Sequence, residues 1–537
     1  MGDYVNPGSD HFQISKNSDI YVDKSNLIIK TNALFRKKQR FICISRPRRF
    51  GKTTAAEMLA AYYGRGSDAH FLFEDLAIAK DPSYEMHLNK YNVIMVNMQE
   101  FLSKAKAHKK KNIDETLHVV TLMIIDLQSN ITRELIKEYP EIPYADTDDF
   151  TQVLKDTYNE TELPFAILID EWDCLFREYK NDKNAQEEYL DFLRLWLKDQ
   201  KYVGLAYMTG ILPIKKYGTH SALNMFREFS MTHPRKFLNY FGFRDYEVAA
   251  LCTEYDMNMK DIEDWYNGYF VDLGTPIYNP TSVVECLSNE EIANYWNSTE
   301  TYEALKDYIV LNFDNLQTII TQLIAGASIE INPNKFANDM HTFNSVDDVL
   351  TLLVHLGYLT YNYKNSTVRI PNAEVKQEFI NSIEDLDDWR SVVDAIRASK
   401  SLLQDIWDMD EAAVAEGIAK VHEDNTSILQ YNNENSLSCV LSLALYIASN
   451  YYTIIRELPS GKGYADLVFI PKKKYVDKPA MVVELKWDKE AKGALAQISE
   501  RNYSSALADY HGNLLLVGIN YKKDTKIHEC SIEMRQI

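Results

Sequence analysis

Nowhere in the 537 residues do 18 or more apolar residues run together, so no segment has the length of a membrane-spanning helix. The closest approach, Cys439 to Ala448, is short and carries serine. The opening MGDYVNPGSDHFQIS lacks the basic and apolar stretches of a secretory signal and the serine spacing of a myristoylation site. The six cysteines (Cys43, Cys174, Cys252, Cys286, Cys439, Cys530) are scattered, with no CxxC pair and no close cluster. That spacing argues against a disulfide framework and predicts reduced, mostly buried thiols in the cytoplasm. Positive charge is also short, 58 Lys and Arg against 78 Asp and Glu for a net charge of -20. A protein that coats polyanions at large needs the opposite balance, so any nucleic-acid contact must be local. No internal repeat and no low-complexity linker is present.

What is present suffices for several packed cores. Hydrophobic residues make up 46% and aromatics 12%, with 35 Tyr and 22 Phe, and the length predicts roughly three domains. Apolar runs at Phe41 to Ile44, Val93 to Val96, Phe165 to Ile169 and Val203 to Met208 alternate with helical stretches such as Asp114 to Glu138, the pattern of a parallel α/β sheet. From about Asp245 to Lys400 helical segments are broken by turn signals such as YNGYF and IYNPTS. A smaller α/β unit closes the chain, with a helix at Glu434 to Ser449, strands at Ala465 to Ile470, Ala480 to Trp487 and Asn513 to Ile519, and a helix between the last two. The expected domains are 1–285, a mainly helical 286–400, and 401–537. The one dense basic stretch, Ser103 to Asn112, reads as a solvated loop or helix start, with a phosphate-contacting patch as the alternative.

The segment SRPRRFGKTT follows an apolar strand and opens a helix. Phosphate binding needs converging backbone N–H groups, a Lys reaching the β/γ oxygens and a hydroxyl on Mg²⁺. Gly51, Lys52 and Thr53 fill the defining end of such a loop, and Arg46, Pro47, Arg48, Arg49, Phe50 and Thr54 complete the expected ATP-binding segment. Arg46 occupies the position of the first Gly in GxxxxGK[ST]. Pro47 stiffens the loop, and Arg46, Arg48 and Arg49 are expected to add positive charge beside the phosphates.

FAILIDEWD supplies the partner strand. Its apolar run ends in Asp170, the candidate Mg²⁺-shell carboxylate, next to Glu171, the candidate base for an attacking water. VGLAYMTG then ends in Thr209, placed by order as a γ-phosphate sensor. Arg227, Arg235 and Arg244 are equivalent candidates for an arginine finger.

YVDKSNLI, RPRRFGKT, LIDEWD, MTGIL, WYNGY and YNPTS, in this order from about Tyr21 to Thr281, resemble the AAA-ATPase-like family of bacterial P-loop proteins. That family also carries Arg where most phosphate loops have Gly, so Arg46 does not count against nucleotide binding. Trp265, Tyr266, Gly268, Tyr269, Tyr278, Asn279 and Pro280 match family positions without evident chemistry and read as packing and turn residues.

Near the C-terminus, GKGYADLVFI and PAMVVELKW place Asp466 on one strand and Glu484 with Lys486 on the next. Residues two apart on a strand face the same side. Two carboxylates on adjacent strands can hold a divalent ion that polarises a phosphodiester, and a nearby Lys can orient the water. An exposed edge strand carrying a chance Glu–Lys pair is the alternative. With Gln497 on the following helix, the segment from about Gln430 to Asn520 resembles the PD-(D/E)XK nuclease fold, a restriction-endonuclease-like α/β domain, in a subgroup often fused behind AAA-ATPase-like domains. The resemblance also assigns Glu434 as a metal-site acid on the first helix of that core. Tyr464 stands where the related pattern GKGRAD has Arg, which implies weaker substrate binding if that Arg holds phosphate. Lys462, Lys472, Lys473, Lys474, Lys478, Lys522 and Lys523 fit phosphate contacts and a solvated surface equally.

The expected fold is therefore a P-loop NTPase parallel sheet, a helical middle and a nuclease-like α/β domain. The expected function is an ATPase coupled to a nuclease using Mg²⁺, or Mn²⁺ at the second site, on nucleic acid. The alternatives are a switch or scaffold ATPase whose C-terminal domain binds without cutting, and a plain nucleotide-dependent interaction protein. No membrane partner is expected, and a homo-oligomer is left open.

Overall fold

Four of the apolar runs and the short segment REF become one parallel sheet: β1 (Phe41–Ser45), β2 (Asn92–Asn97), β3 (Phe165–Asp170), β4 (Val203–Gly210) and β5 (Arg227–Phe229). The structure is a computed structural model. It describes residues 2–111, 117–214, 223–270, 276–296, 301–311, 313, 315–336, 343–425, 434–460, 463–487, 510, 512–522 and 524–536. The chain forms two compact units, residues 1–298 with 330–375, and residues 299–329 with 376–537.

In the first unit the strand order is β2-β3-β4-β1-β5, every pair parallel. β1, β3 and β4 are buried along their whole length, which is why they read as unbroken apolar runs rather than alternations. β4 lies between β1 and β3 in register, Ile44 opposite Thr209 and Ile169 opposite Met208. The C-terminal ends of the three strands thus stand side by side, where an open parallel sheet presents its ligand crevice.

Helix α1 (Lys52–Tyr63) follows β1. Its Ala, Met and Leu content favours helix, and it ends at Gly64, where a Cβ would lie 2.8 Å from the Ala60 carbonyl oxygen. Met58 and Leu59 bury in the core with Ile42, Ile44 and Leu205, each such side chain contributing about 1.5–3 kcal/mol. Tyr62 and Tyr63 are fully buried but satisfied, donating to the Tyr84 carbonyl at 2.8 Å and to Asn32 Oδ1 at 2.8 Å. Just after β3 lies the short helix α2 (Cys174–Glu178).

The WYNGY and YNPTS residues are architectural. Tyr266, Tyr269 and Tyr278 are fully buried. Gly268 has φ +102°, and a Cβ there would meet the Pro371 carbonyl oxygen at 2.0 Å. Asn279 caps the helix Pro280–Asn289, accepting from the Thr281 N–H at 3.0 Å, with Pro280 at its first position, where the missing N–H costs nothing. Helices Val346–Leu356 and Ala373–Ile383 follow, separated by the short strands Thr360–Asn362 and Thr367–Arg369.

The second unit holds α3 (Arg390–Trp407), α4 (Glu411–Asn425) and α5 (Glu434–Ala444). Its sheet contains β6 (Tyr452–Ser460), β7 (Gly463–Pro471), β8 (Ala480–Trp487), β9 (Asn513–Lys522) and β10 (Ile527–Gln536), in that order. Only β8 and β9 are parallel; the other neighbours are antiparallel. A parallel pair needs a crossover, and the helix expected between β8 and β9 lies outside the described residues, as does Gln497. Among the described residues no helix is long and apolar enough to cross a membrane.

Candidate nucleotide and metal sites

The loop between β1 and α1 is shaped by two left-handed residues, Arg49 at φ +66° and Gly51 at φ +81°. Nothing crowds Gly51, so the glycine is needed for its backbone conformation and not for space. Lys52 follows at the helix start, buried, its Nζ donating to the Pro47 carbonyl at 2.9 Å. Burial lowers its pKa, with Glu171 and Asp170 pulling the other way. Phe50 is buried edge-on against Tyr269, anchoring the loop, while Thr53 is exposed at its mouth.

The three strand ends converge on Asp170, which is 1% exposed. Thr53 Oγ1 donates to Asp170 Oδ2 at 2.7 Å, and the Thr209 hydroxyl donates to Asp170 Oδ1. The placement of β4 between β1 and β3 is what lets both hydroxyls reach one carboxylate. These are hard oxygen donors, the chemistry that suits Mg²⁺. Glu171, at φ +52°, donates its backbone N–H to Asp170 Oδ1 at 3.0 Å, and its carboxylate pairs with Arg177 on α2, whose Nε also lies 3.5 Å from Asp173 Oδ2. Burial works against the Arg177 guanidinium, yet Asp173 and Glu171 raise its pKa overall. Asp173 in turn accepts from the backbone N–H groups of Ile211 at 3.1 Å and Leu212 at 2.8 Å, just beyond β4. Sequence reasoning missed Asp173 and Arg177. Their i,i+4 spacing was the available signal.

The arginines of RPRR part ways. Arg46 does not stand beside the phosphate loop's mouth as expected: its side chain is 0% exposed, donates to the Ser45 and Phe229 carbonyls at 2.8 and 2.7 Å, and lies over the Phe241 ring. The reason is that its N–H still bonds the Gly210 carbonyl at 3.0 Å, continuing the β1–β4 ladder into the interior. Burial lowers its pKa to about 10. Arg49 donates to the Tyr295 carbonyl at 2.8 Å, and Arg48 is half-exposed. Of the finger candidates, Arg244 is buried and bonded to Asn239.

Next to the loop a pocket of about 220 Å³ opens between Gly51, Thr54 and Met58 on one side and Phe12, Tyr21 and Phe243 on the other. Lys24 on its wall pairs with Glu247 at 2.7 Å. The aromatic wall comes from segments before and well after the loop, so no local pattern revealed it.

In the second unit, Glu484 on β8 is 2% exposed and Lys486 is also buried. Lys486 Nζ donates to Glu484 Oε1 at 3.0 Å, so the two share a face as the strand period requires. The β7–β8 register pairs Leu467 with Val483. One more step along that antiparallel ladder puts Asp466 at the position opposite Glu484. The side chains of Asp466 and of Glu434, which opens α5, lie outside the described residues. Asn520, which sequence reasoning did not single out, is fully buried on β9 in register with Lys486 and donates to Glu529 Oε2 at 3.4 Å. The buried Glu484 carboxylate is an oxygen donor of the kind a divalent ion takes, whereas the Lys486 ammonium beside it is no ligand.

Residues 8–219 match the model of the AAA-ATPase-like family, described as "Predicted AAA-ATPase", and residues 432–530 match that of the PD-(D/E)XK nuclease superfamily. No curated protein matches. Similar solved structures include Cdc6p from Pyrobaculum aerophilum, at 10% identity over 67% of this chain and 93% of that one with TM-score 0.23. The Aeropyrum pernix ORC2 protein in its ADPNP–ADP complexes is 10% identical over 70% of this chain and 93% of its own, with TM-score 0.27. The strand–loop–helix geometry and the two family matches agree: the chain joins an AAA-ATPase-like P-loop region to a C-terminal domain of the PD-(D/E)XK nuclease superfamily.

Proposed function

We propose that the protein binds and hydrolyses ATP and couples this to metal-dependent cleavage of nucleic acid by its C-terminal domain. The observation that carries the reading is the buried Asp170 carboxylate held by the Thr53 and Thr209 hydroxyls at the mouth of the phosphate loop. In this reading Lys52 and the loop N–H groups hold the phosphates, Thr53 and Asp170 hold Mg²⁺, and Thr209 senses the γ-phosphate. When bound, the ion offsets negative charge on the phosphates. Glu171 is the base for water, released from Arg177 when nucleotide occupies the loop. In the second unit Glu484, Asp466 and Glu434 are the acids for Mg²⁺ or Mn²⁺. Lys486, with Gln497, orients water or steadies the phosphate.

The test is purified protein with Mg²⁺ or Mn²⁺ on single- and double-stranded DNA and RNA, with and without ATP. Metal-dependent cleavage that responds to ATP is expected. Nucleic acid bound but never cut would favour the scaffold reading, for which the Glu484–Lys486 pair already gives a reason: an ammonium 3.0 Å from the carboxylate competes with a cation.

A further inference from the structure

One stripe of α3 carries the exposed Arg397, Lys400, Ser401 and Gln404 and the half-buried Trp407, spaced to fall on one face of a helix. These side chains, with Tyr451, line an open cleft of about 500 Å³ in the second unit. Aromatic rings and cations interleave around it. Tyr451 meets the Trp407 ring edge-on at 5.4 Å and Tyr475 at 5.0 Å. Lys478 Nζ lies 4.2 Å from the Trp407 ring centroid, and Lys474 sits over Tyr475.

The rings are fixed before any ligand arrives. Trp407 Nε1 donates to the Tyr452 hydroxyl at 2.8 Å, the Lys472 N–H to the Tyr451 carbonyl at 2.9 Å, and the Tyr475 N–H to the Lys472 carbonyl at 2.8 Å. Acids stand nearby but do not line the cleft. Glu384 pairs with Arg397, Asp408 accepts from Gln404, and Asp477 is 3.8 Å from Lys478. The Arg397–Glu384 pair is largely exposed at both ends, and such a pair is worth little, so a phosphate can take its place.

We propose that this cleft is a docking site for single-stranded nucleic acid. The proposal rests on the nucleic-acid reading above and adds to it a binding surface apart from Glu484 and Lys486. Two aromatic rings, Trp407 and Tyr451, line the cleft and can stack on bases, with Tyr475 packed against Tyr451; Lys400 and Arg397 in the cleft and Lys478 beside Trp407 offer contacts to the backbone, the combination that single strands use without sequence preference. A duplex hides its base faces, and an acidic peptide would use the cations while leaving the rings idle. On a chain of net charge -20 the cations must be grouped locally to hold a polyanion, and here they are. Lys478 lies six residues ahead of Glu484 on the segment that becomes β8, roughly 20 Å at strand rise. A strand held at the cleft is therefore within reach of the acids.

The test uses the full chain in EDTA, so that nothing is cut, with a fluorescein-labelled oligothymidylate followed by anisotropy and by tryptophan emission. Binding with a quench of tryptophan emission is expected. Trp407→Leu should weaken binding about 10-fold or more and remove the quench, while Trp407→Phe should keep most of the affinity. Lys400→Glu, at an exposed position, and Lys478→Glu, at a partly exposed one, should weaken binding and lower the log–log salt slope by roughly 0.7 for each phosphate no longer neutralised. Wild-type binding that none of these variants alters would overturn the cleft and leave the nuclease reading standing. Equal affinity for duplex without a quench would overturn the single-strand assignment. Wild-type protein that binds neither form would overturn the cleft and the nucleic-acid reading together.

Discussion

The two candidate sites both bury an acid, but they satisfy it differently. Asp170 is held by two neutral hydroxyls, Thr53 and Thr209, which leave its negative charge available to a cation. Glu484 is held by the Lys486 ammonium, which already offsets its charge. In the proposed reading the first site would accept a metal together with phosphate, and the second would have to make room for a metal beside a cation it already holds. The difference also reflects construction. The phosphate-loop site gathers three strand ends of one parallel sheet, whereas the second lies along the middle of a buried strand.

The sharpest way to break this comparison is to remove the acids of the second site. Glu484→Ala and Asp466→Ala should each abolish metal-dependent cleavage while ATP hydrolysis continues, since each loses a hard oxygen ligand. Lys486→Ala should also damage cleavage but leave metal binding measurable by calorimetry, because a protonated Lys is no ligand. If metal affinity falls as far in Lys486→Ala as in Glu484→Ala, the division into ligand and helper is wrong. At the first site Lys52→Ala should leave a folded protein with no detectable ATP binding in a calorimetric titration. The Lys52 ammonium contacts only the Pro47 carbonyl among the described hydrogen bonds, so little of the core depends on it. Unchanged affinity in that variant would end the phosphate-loop assignment.

A smaller effect separates binding from chemistry. Glu171→Gln should keep ATP bound and slow its hydrolysis by about 10²- to 10⁴-fold, the usual contribution of a general base. Steady-state turnover at the wild-type rate would move the base elsewhere. Because Arg177 pairs with Glu171, the same carboxylate also ties α2 to the strand end.

What the sequence made legible follows from how local each feature is. The run from Phe41 through Thr54 announces itself because strand, loop and helix are contiguous, and Asp170 because five apolar residues precede it. β8 was readable to its end residues, a buried strand bounded by Pro479 and Trp487. β6 and β10 were not, since Arg456, Glu457 and Pro459 in one and His528, Glu529, Glu533 and Arg535 in the other break the apolar run, as edge strands commonly do. Arg46 misled for a different reason. The three arginines of RPRR read as a single charged patch, and only the Phe229 carbonyl and the Phe241 ring, far along the chain, turn the first of them inward. The cleft on α3 was half visible: Lys472, Lys474 and Lys478 drew attention, but the rings that give them company come from three separate segments.

The smallest effect concerns a pair that neither site uses. His422 on α4 and His528 on β10 are each 6% exposed, and His422 Nδ1 lies 3.1 Å from His528 Nε2. The Tyr521 ring packs against both, at 5.0 and 4.9 Å. Burial lowers the pKa of each imidazole to about 4, with the charge of His528 adding to the effect on His422. In the unfolded chain both return to about 6.5. Between those values the unfolded state binds more protons, so stability should fall as pH drops from about 6.5 toward 4. The loss should be of the order of 1 kcal/mol per imidazole at pH 5 once solvent screening is allowed for. Nearby Glu529 has its carboxyl lowered by its bond to Lys522, so its own contribution is lost only in more acid solution, below the ordinary glutamate range. His528→Phe keeps a ring against Tyr521 and removes one titrating group. Urea unfolding at pH 7 and pH 5 should therefore show a smaller acid loss for this variant than for the wild type. Equal losses in the two proteins would mean that the acid sensitivity of the second unit arises elsewhere.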